Sequence, residues 1–116
     1  MILIEKMKMA WISLCNLDEL TEGEAKRIET DGFSLAVFLH KKEVFVLDSI
    51  CPHAGHDLSA GGIEDGCAVC PYHGWNFRLT DGQMPSSPGI SIRTYPSRLY
   101  PRPDHPTLIQ ADLPMP

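Results

Sequence analysis

Two short stretches decide the fold: Cys51-Pro-His-Ala-Gly-His56 and Cys70-Pro-Tyr-His-Gly-Trp75. Each places a cysteine close to a histidine, and each carries a proline and a glycine, the residues of tight loops. Written together they read Cys51-x-His53, sixteen intervening residues, then Cys70-x-x-His73. Thiolates and imidazoles at such spacings are metal ligands, and two kinds of centre accept this set. Zinc takes Cys and His in a tetrahedral site. A [2Fe–2S] cluster takes two thiolates on one iron and two imidazoles on the other. Each half delivers one Cys and one His from one loop, so each loop can reach both irons. The likeness of the halves suits two similar loops facing each other across a diamond-shaped cluster, with zinc as the alternative.

Outward from these loops the chain reads as short strands separated by turn signals. Strands are expected at "AWISL", "AKRIET", "SLAVFLH", "EVFVLDS", "CAVC", "WNFRL", "ISIRTYPSRLY" and "TLIQADL". Asp31-Gly32, Asp65-Gly66 and Asp81-Gly82 mark turns, and Lys41-Lys42 joins two Val/Phe/Leu-rich runs into a hairpin. One helical turn is expected at "NLDEL", with Asn16 as N-cap and Gly23 as the stop. "PRPDHP" reads as a turn and the final "PMP" as a frayed tail. This pattern predicts an all-β chain, 1–116 as one domain. Its base, about 9–48 and 83–113, is an antiparallel β-sandwich or barrel-like structure, and residues about 49–82 form a small inserted metal-binding subdomain.

The chain has 116 residues, 43% of them apolar and 22% charged, with a net charge of −5. These are the values of an ordinary globular domain. An acidic chain without a basic run is no general nucleic-acid binder. Glu5, Lys6 and Lys8 interrupt the apolar N-terminus before a signal-peptide core forms, and no run reaches the length of a membrane span. The expectation is a cytoplasmic protein with reduced thiols, in which clustered Cys and His indicate metal chemistry sooner than disulfides.

The stretch "CPHAGHDLSAG…CPYHGW", with the hairpin before it and "FRLTDG" after it, resembles the Rieske iron–sulfur motif, in particular Rieske ferredoxins and the small subunits of assimilatory nitrite reductases. The resemblance implies one [2Fe–2S] cluster, with Cys51 and Cys70 on the inner iron and His53 and His73 on the outer one. It also implies that "QMPSSPGI", with Pro85 and Pro88, covers the cluster without ligating it. High-potential members of the family carry Ser and Tyr two and four residues after the last ligand, where this chain has Trp75 and Phe77. They also carry a cysteine pair where this chain has His56 and Tyr72. Both departures imply a low-potential centre.

Other residues have simpler readings. Cys67 forms a CxxC with Cys70 but reads as a small buried residue on a strand, and Cys15 reads as core filling. His56 is expected to be a partly exposed neighbour of the cluster, Tyr72 to lie beside it, and Trp75 to pack the subdomain onto the base. His40 and His105 read as turn histidines. No facial triad of two His and a carboxylate is visible, and an oxygenase catalytic domain needs a longer chain. The expected function is therefore electron transfer without catalysis, from a flavin-containing reductase to a terminal oxygenase. The alternatives are the small subunit of an NAD(P)H-dependent nitrite reductase, bound to its large subunit, and a zinc-stabilised structural module.

Overall fold

The computed structural model describes residues 8–52, 55–72, 74–87 and 89–115. Among the described residues ten strands follow one another: β1 (Lys8–Asn16), β2 (Ala25–Thr30), β3 (Phe33–His40), β4 (Glu43–Asp48), β5 (Ile63–Glu64), β6 (Cys67–Val69), β7 (Asn76–Arg78), β8 (Thr94–Tyr95), β9 (Ser97–Arg102) and β10 (His105–Met115). They form three antiparallel sheets, ordered β1-β10-β9, β2-β3-β4-β8 and β5-β6-β7. The all-β expectation is met.

The reason for the layering is written in β3. Its run Leu35-Ala36-Val37-Phe38 is buried at every residue. Successive side chains of a strand point to opposite faces, so an unbroken apolar run means a sheet covered on both sides. Leu35 and Val37 face a core shared with Val46, Tyr95 and, from the first sheet, Cys15, Ile109, Ala111 and Leu113. Ala36 and Phe38, with Leu47 of β4, face a second core built with Cys51, Leu58, Ala68, Cys70, Phe77, Leu79, Met84 and Ile92. The first two sheets thus make a sandwich, and the cysteine loops with the third sheet pack on its far side. Full burial of side chains the size of Phe38 or Leu47 contributes about 1.5–3 kcal/mol each, so both interfaces hold the fold.

Turns set the registers. Asp31-Gly32, Lys41-Lys42 and Asp65-Gly66 each place two successive residues at positive φ, the geometry that matches the twist of a two-residue hairpin. Lys41 and Lys42 lack the freedom of glycine, and the Glu22 carboxylate compensates by accepting their backbone N–H groups at 2.7 and 3.2 Å.

Three expectations are corrected. The 3₁₀ turn Leu17–Glu19 has Asn16 as its cap but ends at Leu20, leaving Gly23 in the next turn, where Thr21 accepts from Glu24 N–H. "PRPDHP" is mostly strand: β9 runs to Arg102 and β10 starts at His105, so only Pro103 and Asp104 turn. Pro101 on β9 and Pro106 on β10 are both exposed, and the Arg102 guanidinium donates to the Pro106 carbonyl at 2.8 Å. Pro114 and Met115 are not frayed, because β1 starts early enough to pair Met9 with Pro114 and Lys8 with Met115. The strand Ile63–Glu64 was not expected; two residues are too few for an alternating pattern to register.

Candidate metal centre

The two cysteine stretches fold into the same loop. Ile50 bridges Asp57, the Cys51 N–H donates to the His56 carbonyl (2.8 Å), and the Gly55 N–H donates back to the Cys51 carbonyl (2.9 Å). In the second loop Val69 pairs with Asn76, the Cys70 N–H donates to the Trp75 carbonyl (2.7 Å), and the Gly74 N–H donates to the Cys70 carbonyl (3.1 Å). Gly55 and Gly74 stand at φ +72° and +70°, a conformation that side chains with a Cβ disfavour. That requirement explains why each stretch carries glycine four residues after its cysteine.

Each loop opens on a thiol directed inward. Cys51 and Cys70 are each 1% exposed and belong to the same core, whereas Pro52, Gly55, Pro71, Tyr72 and Gly74 are exposed. Two buried thiols at matching positions fit a soft metal centre shielded from water, as thiolate ligation requires. His53, His73 and Pro88 lie outside the described residues. No Asp, Glu, Lys or Arg occurs in 49–56, 70–77 or 83–92 although the chain is acidic.

Three neighbours anchor the loops. Trp75 is half-buried and packs against the core containing both cysteines, as expected. Phe77 beside it is fully buried. The segment "QMPSSPGI" forms a hairpin closed by a Gln83–Ser91 bridge, with Pro85 exposed in its turn and Met84 buried in the cysteine core. The Met84 N–H donates to the Ile90 carbonyl at 3.0 Å.

Sequence reasoning placed His56 and Tyr72 beside the loops but missed their contact. The two rings stack across the gap between the loops, with centroids 3.6 Å apart and planes 19° from parallel. It also missed Asp57. This residue caps the 3₁₀ turn Leu58–Ala60 by accepting from Ser59 N–H (2.9 Å) and Ser59 Oγ (2.6 Å), and it pairs with Arg27 of β2 at 3.1 Å. The sequence signal was available in Asp57-Leu-Ser-Ala, an N-cap ahead of a short turn. Burial pushes the Asp57 carboxyl upward, but the Ser59 and Arg27 hydrogen bonds outweigh it and hold the group below the usual aspartate value of 3.8. A depressed carboxylate stabilises the fold above its unfolded pKa and loses that contribution as the pH falls through its folded pKa. Asp57→Ala is therefore expected to cost about 1 kcal/mol in denaturant melts at neutral pH. The difference from wild type should close as the pH falls below the ordinary aspartate value.

The remaining cysteines are core residues. Cys15 is buried, and loss of solvent pushes its thiol up to about 11, with Glu19 adding to the effect. Burial likewise raises Cys67, whose Sγ lies 3.8 Å from the Asp65 carbonyl. A buried, undissociated thiol is a poor redox nucleophile, which fits Cys67 as a core residue better than as half of a CxxC redox pair.

Close packing requires glycine at position 61. A Cβ on Gly61 would sit 1.8 Å from the Val69 carbonyl oxygen and 3.3 Å from Pro71 Cδ, at the base of the second loop. Backbone cannot yield cheaply, so Gly61→Ala is expected to destabilise by about 2 kcal/mol or more. A lowered thermal midpoint together with faster amide exchange across 69–76 would verify this; an unchanged midpoint would contradict the packing.

An all-β sandwich bearing two matched loops, each opening on a buried cysteine, fits a metal-binding domain with thiolate ligands. Residues 10–96 match the model of the Rieske [2Fe-2S] domain, and the chain belongs to that family. The family's cofactor is a [2Fe–2S] cluster, which sets zinc aside. Cholesterol 7-desaturase from Drosophila melanogaster is 43% identical over 74 residues, covering 62% of this chain and 17% of its own length. The chain thus spans about a sixth of the desaturases it matches. The ferredoxin component of the naphthalene 1,2-dioxygenase/salicylate 5-hydroxylase systems of Ralstonia sp is 28% identical over 94 residues, 80% of this chain and 90% of its own. Among solved structures, a Sphingomonas yanoikuyae B1 ferredoxin aligns with a TM-score of 0.76 at 29% identity, covering 90% of this chain and 100% of that one. A candidate small subunit of an NADH-dependent nitrite reductase from Mycobacterium tuberculosis aligns with a TM-score of 0.80 at 25% identity, covering 90% and 96%. No helix among the described residues is long and apolar enough to cross a membrane.

Proposed function

We propose that the chain is a one-electron carrier of the ferredoxin kind, with Cys51 and Cys70 holding the inner iron of the cluster and His53 and His73 the outer one. The observation that carries this reading is the pair of matched loops, each opening on a buried cysteine and carrying a histidine within its exposed turn by sequence. When bound, the cluster supplies reversible one-electron storage. The chain's own residues keep the thiolate side dry in the second core. They direct the loop tips, with exposed Ile50, Pro52 and Tyr72, toward a partner. The base is about 9–48 and 83–113 and the cluster-binding part about 49–82.

The ferredoxin components that this chain nearly spans support a carrier, not a catalyst, with a flavin-containing reductase as donor and a terminal oxygenase as acceptor. The desaturase relatives favour a second reading, a Rieske domain working beside an oxygenase catalytic domain. The nitrite reductase likeness favours a third, a subunit held by a larger reductase. Anaerobic stopped-flow mixing of the reduced protein with candidate acceptors separates them. A carrier reoxidises in a second-order step whose rate grows with acceptor concentration. A protein that hydroxylates or desaturates a substrate unaided would contradict the carrier reading. Because the two loops and residues 83–92 carry no Asp, Glu, Lys or Arg, the second-order rate should respond only weakly to salt.

A further inference from the structure

We propose that the stacked rings of His56 and Tyr72 are a tie between the two cysteine loops, so that each loop's geometry is set partly by the other. This rests on the reading above, in which both loops must present ligands to one cluster. The tie itself follows from the fold. Among the described residues each loop is closed internally by two backbone hydrogen bonds, at Cys51 and Gly55 in one and at Cys70 and Gly74 in the other. The rings cross the gap between the loops as a stack, with centroids 3.6 Å apart and planes 19° from parallel, within van der Waals contact across the whole ring face. Tyr72 is 66% exposed, far more than core packing needs, so its ring is held at the surface by this contact and not by the core. His56 belongs to the strand-like exit of the first loop, where the Cys51 N–H bonds its carbonyl. A pull on the His56 ring is therefore a pull on Cys51. Tyr72 and His56 are positioning residues, acting through the loops that carry Cys51 and Cys70.

The test is hydrogen exchange read by mass spectrometry on the purified, iron-loaded protein, compared at equal iron content. In Tyr72→Ala, segment 50–57 is expected to exchange about fivefold faster, although the substitution lies in the other loop, and in His56→Ala segment 69–76 is expected to do the same. Tyr72→Phe keeps the ring and should exchange like wild type. The effects of the single Ala variants on cross-loop exchange should not multiply in the double variant, because each already removes the shared ring contact. Faster release of the cluster to a chelator should follow the same order. Acceleration confined to the substituted loop, a Tyr72→Phe variant as fast as Tyr72→Ala, or single effects that multiply in the double variant would each overturn the tie. Failure of the cluster reading is separate: it shows as wild-type protein without a [2Fe–2S] EPR signal, while the cross-loop exchange coupling is still read on the same protein.

Discussion

Cys51→Ala is expected to give a colourless protein with no [2Fe–2S] EPR signal and a disordered first loop on an intact sandwich. Two effects combine. The proposed cluster loses one of four ligands, and metal binding at such a site is also folding free energy, so the loops lose the interaction that fixes them. The thiol is also 1% exposed in the core shared with Leu58, Phe77 and Met84, and its removal leaves a small cavity there. The damage stops at β3 and β4, because the other core, between the first two sheets, contains none of these residues. Circular dichroism should therefore retain its β signal while amides of 50–57 and 69–76 exchange rapidly. A variant that stays coloured, with ordered loops, would contradict the assignment of Cys51.

His73→Cys should act on the electronics instead. A neutral imidazole on the outer iron becomes a thiolate, adding one negative charge to the ligand shell, and an added electron then meets more repulsion. The potential is expected to fall by on the order of 100 mV or more, out of the span of about −150 to +300 mV that mixed His/Cys centres occupy and toward the roughly −400 mV of all-cysteine plant-type clusters. Iron content should be retained, since thiolate is a good ligand for either iron. An unchanged potential would remove His73 from the ligand set.

Much of this was legible in the residues. Loops were readable because their chemistry is local: a cysteine, a proline, and a glycine at positive φ four residues on leave a pattern that needs no tertiary context. The central sheet was readable for a similar reason, since "SLAVFLH" is apolar at consecutive positions only if both faces are covered. What the residues hid was contact across loops and between distant strands. The His56–Tyr72 stack joins residues that neither periodicity nor turn chemistry relates. The Arg27–Asp57 pair links β2 to the exit of the first loop in the same way. The far ends of β9 and β10 were misread because Pro101, Pro103 and Pro106 are strand-breakers locally, and only the pairing of His105 with Arg102 and of β1 with β10 overrides them. Pro114, buried at the end of β10, is the same lesson at the chain's last strand.

The low-potential expectation rests on absent hydroxyls: Trp75 and Phe77 follow the second loop, and Phe77 is fully buried with no group to donate toward a cluster sulfur. Hydrogen bonds to sulfur stabilise the reduced state and raise the potential. The central claim therefore comes down to one measurement, an EPR-monitored redox titration of the purified protein. The account predicts the spectrum of a mixed His/Cys [2Fe–2S] centre appearing on one-electron reduction, with a midpoint near the lower end of the Rieske span, about −150 mV. A midpoint near +300 mV would contradict the low-potential assignment, and one near −400 mV or a reduced protein without a [2Fe–2S] signal would contradict the ligand set itself.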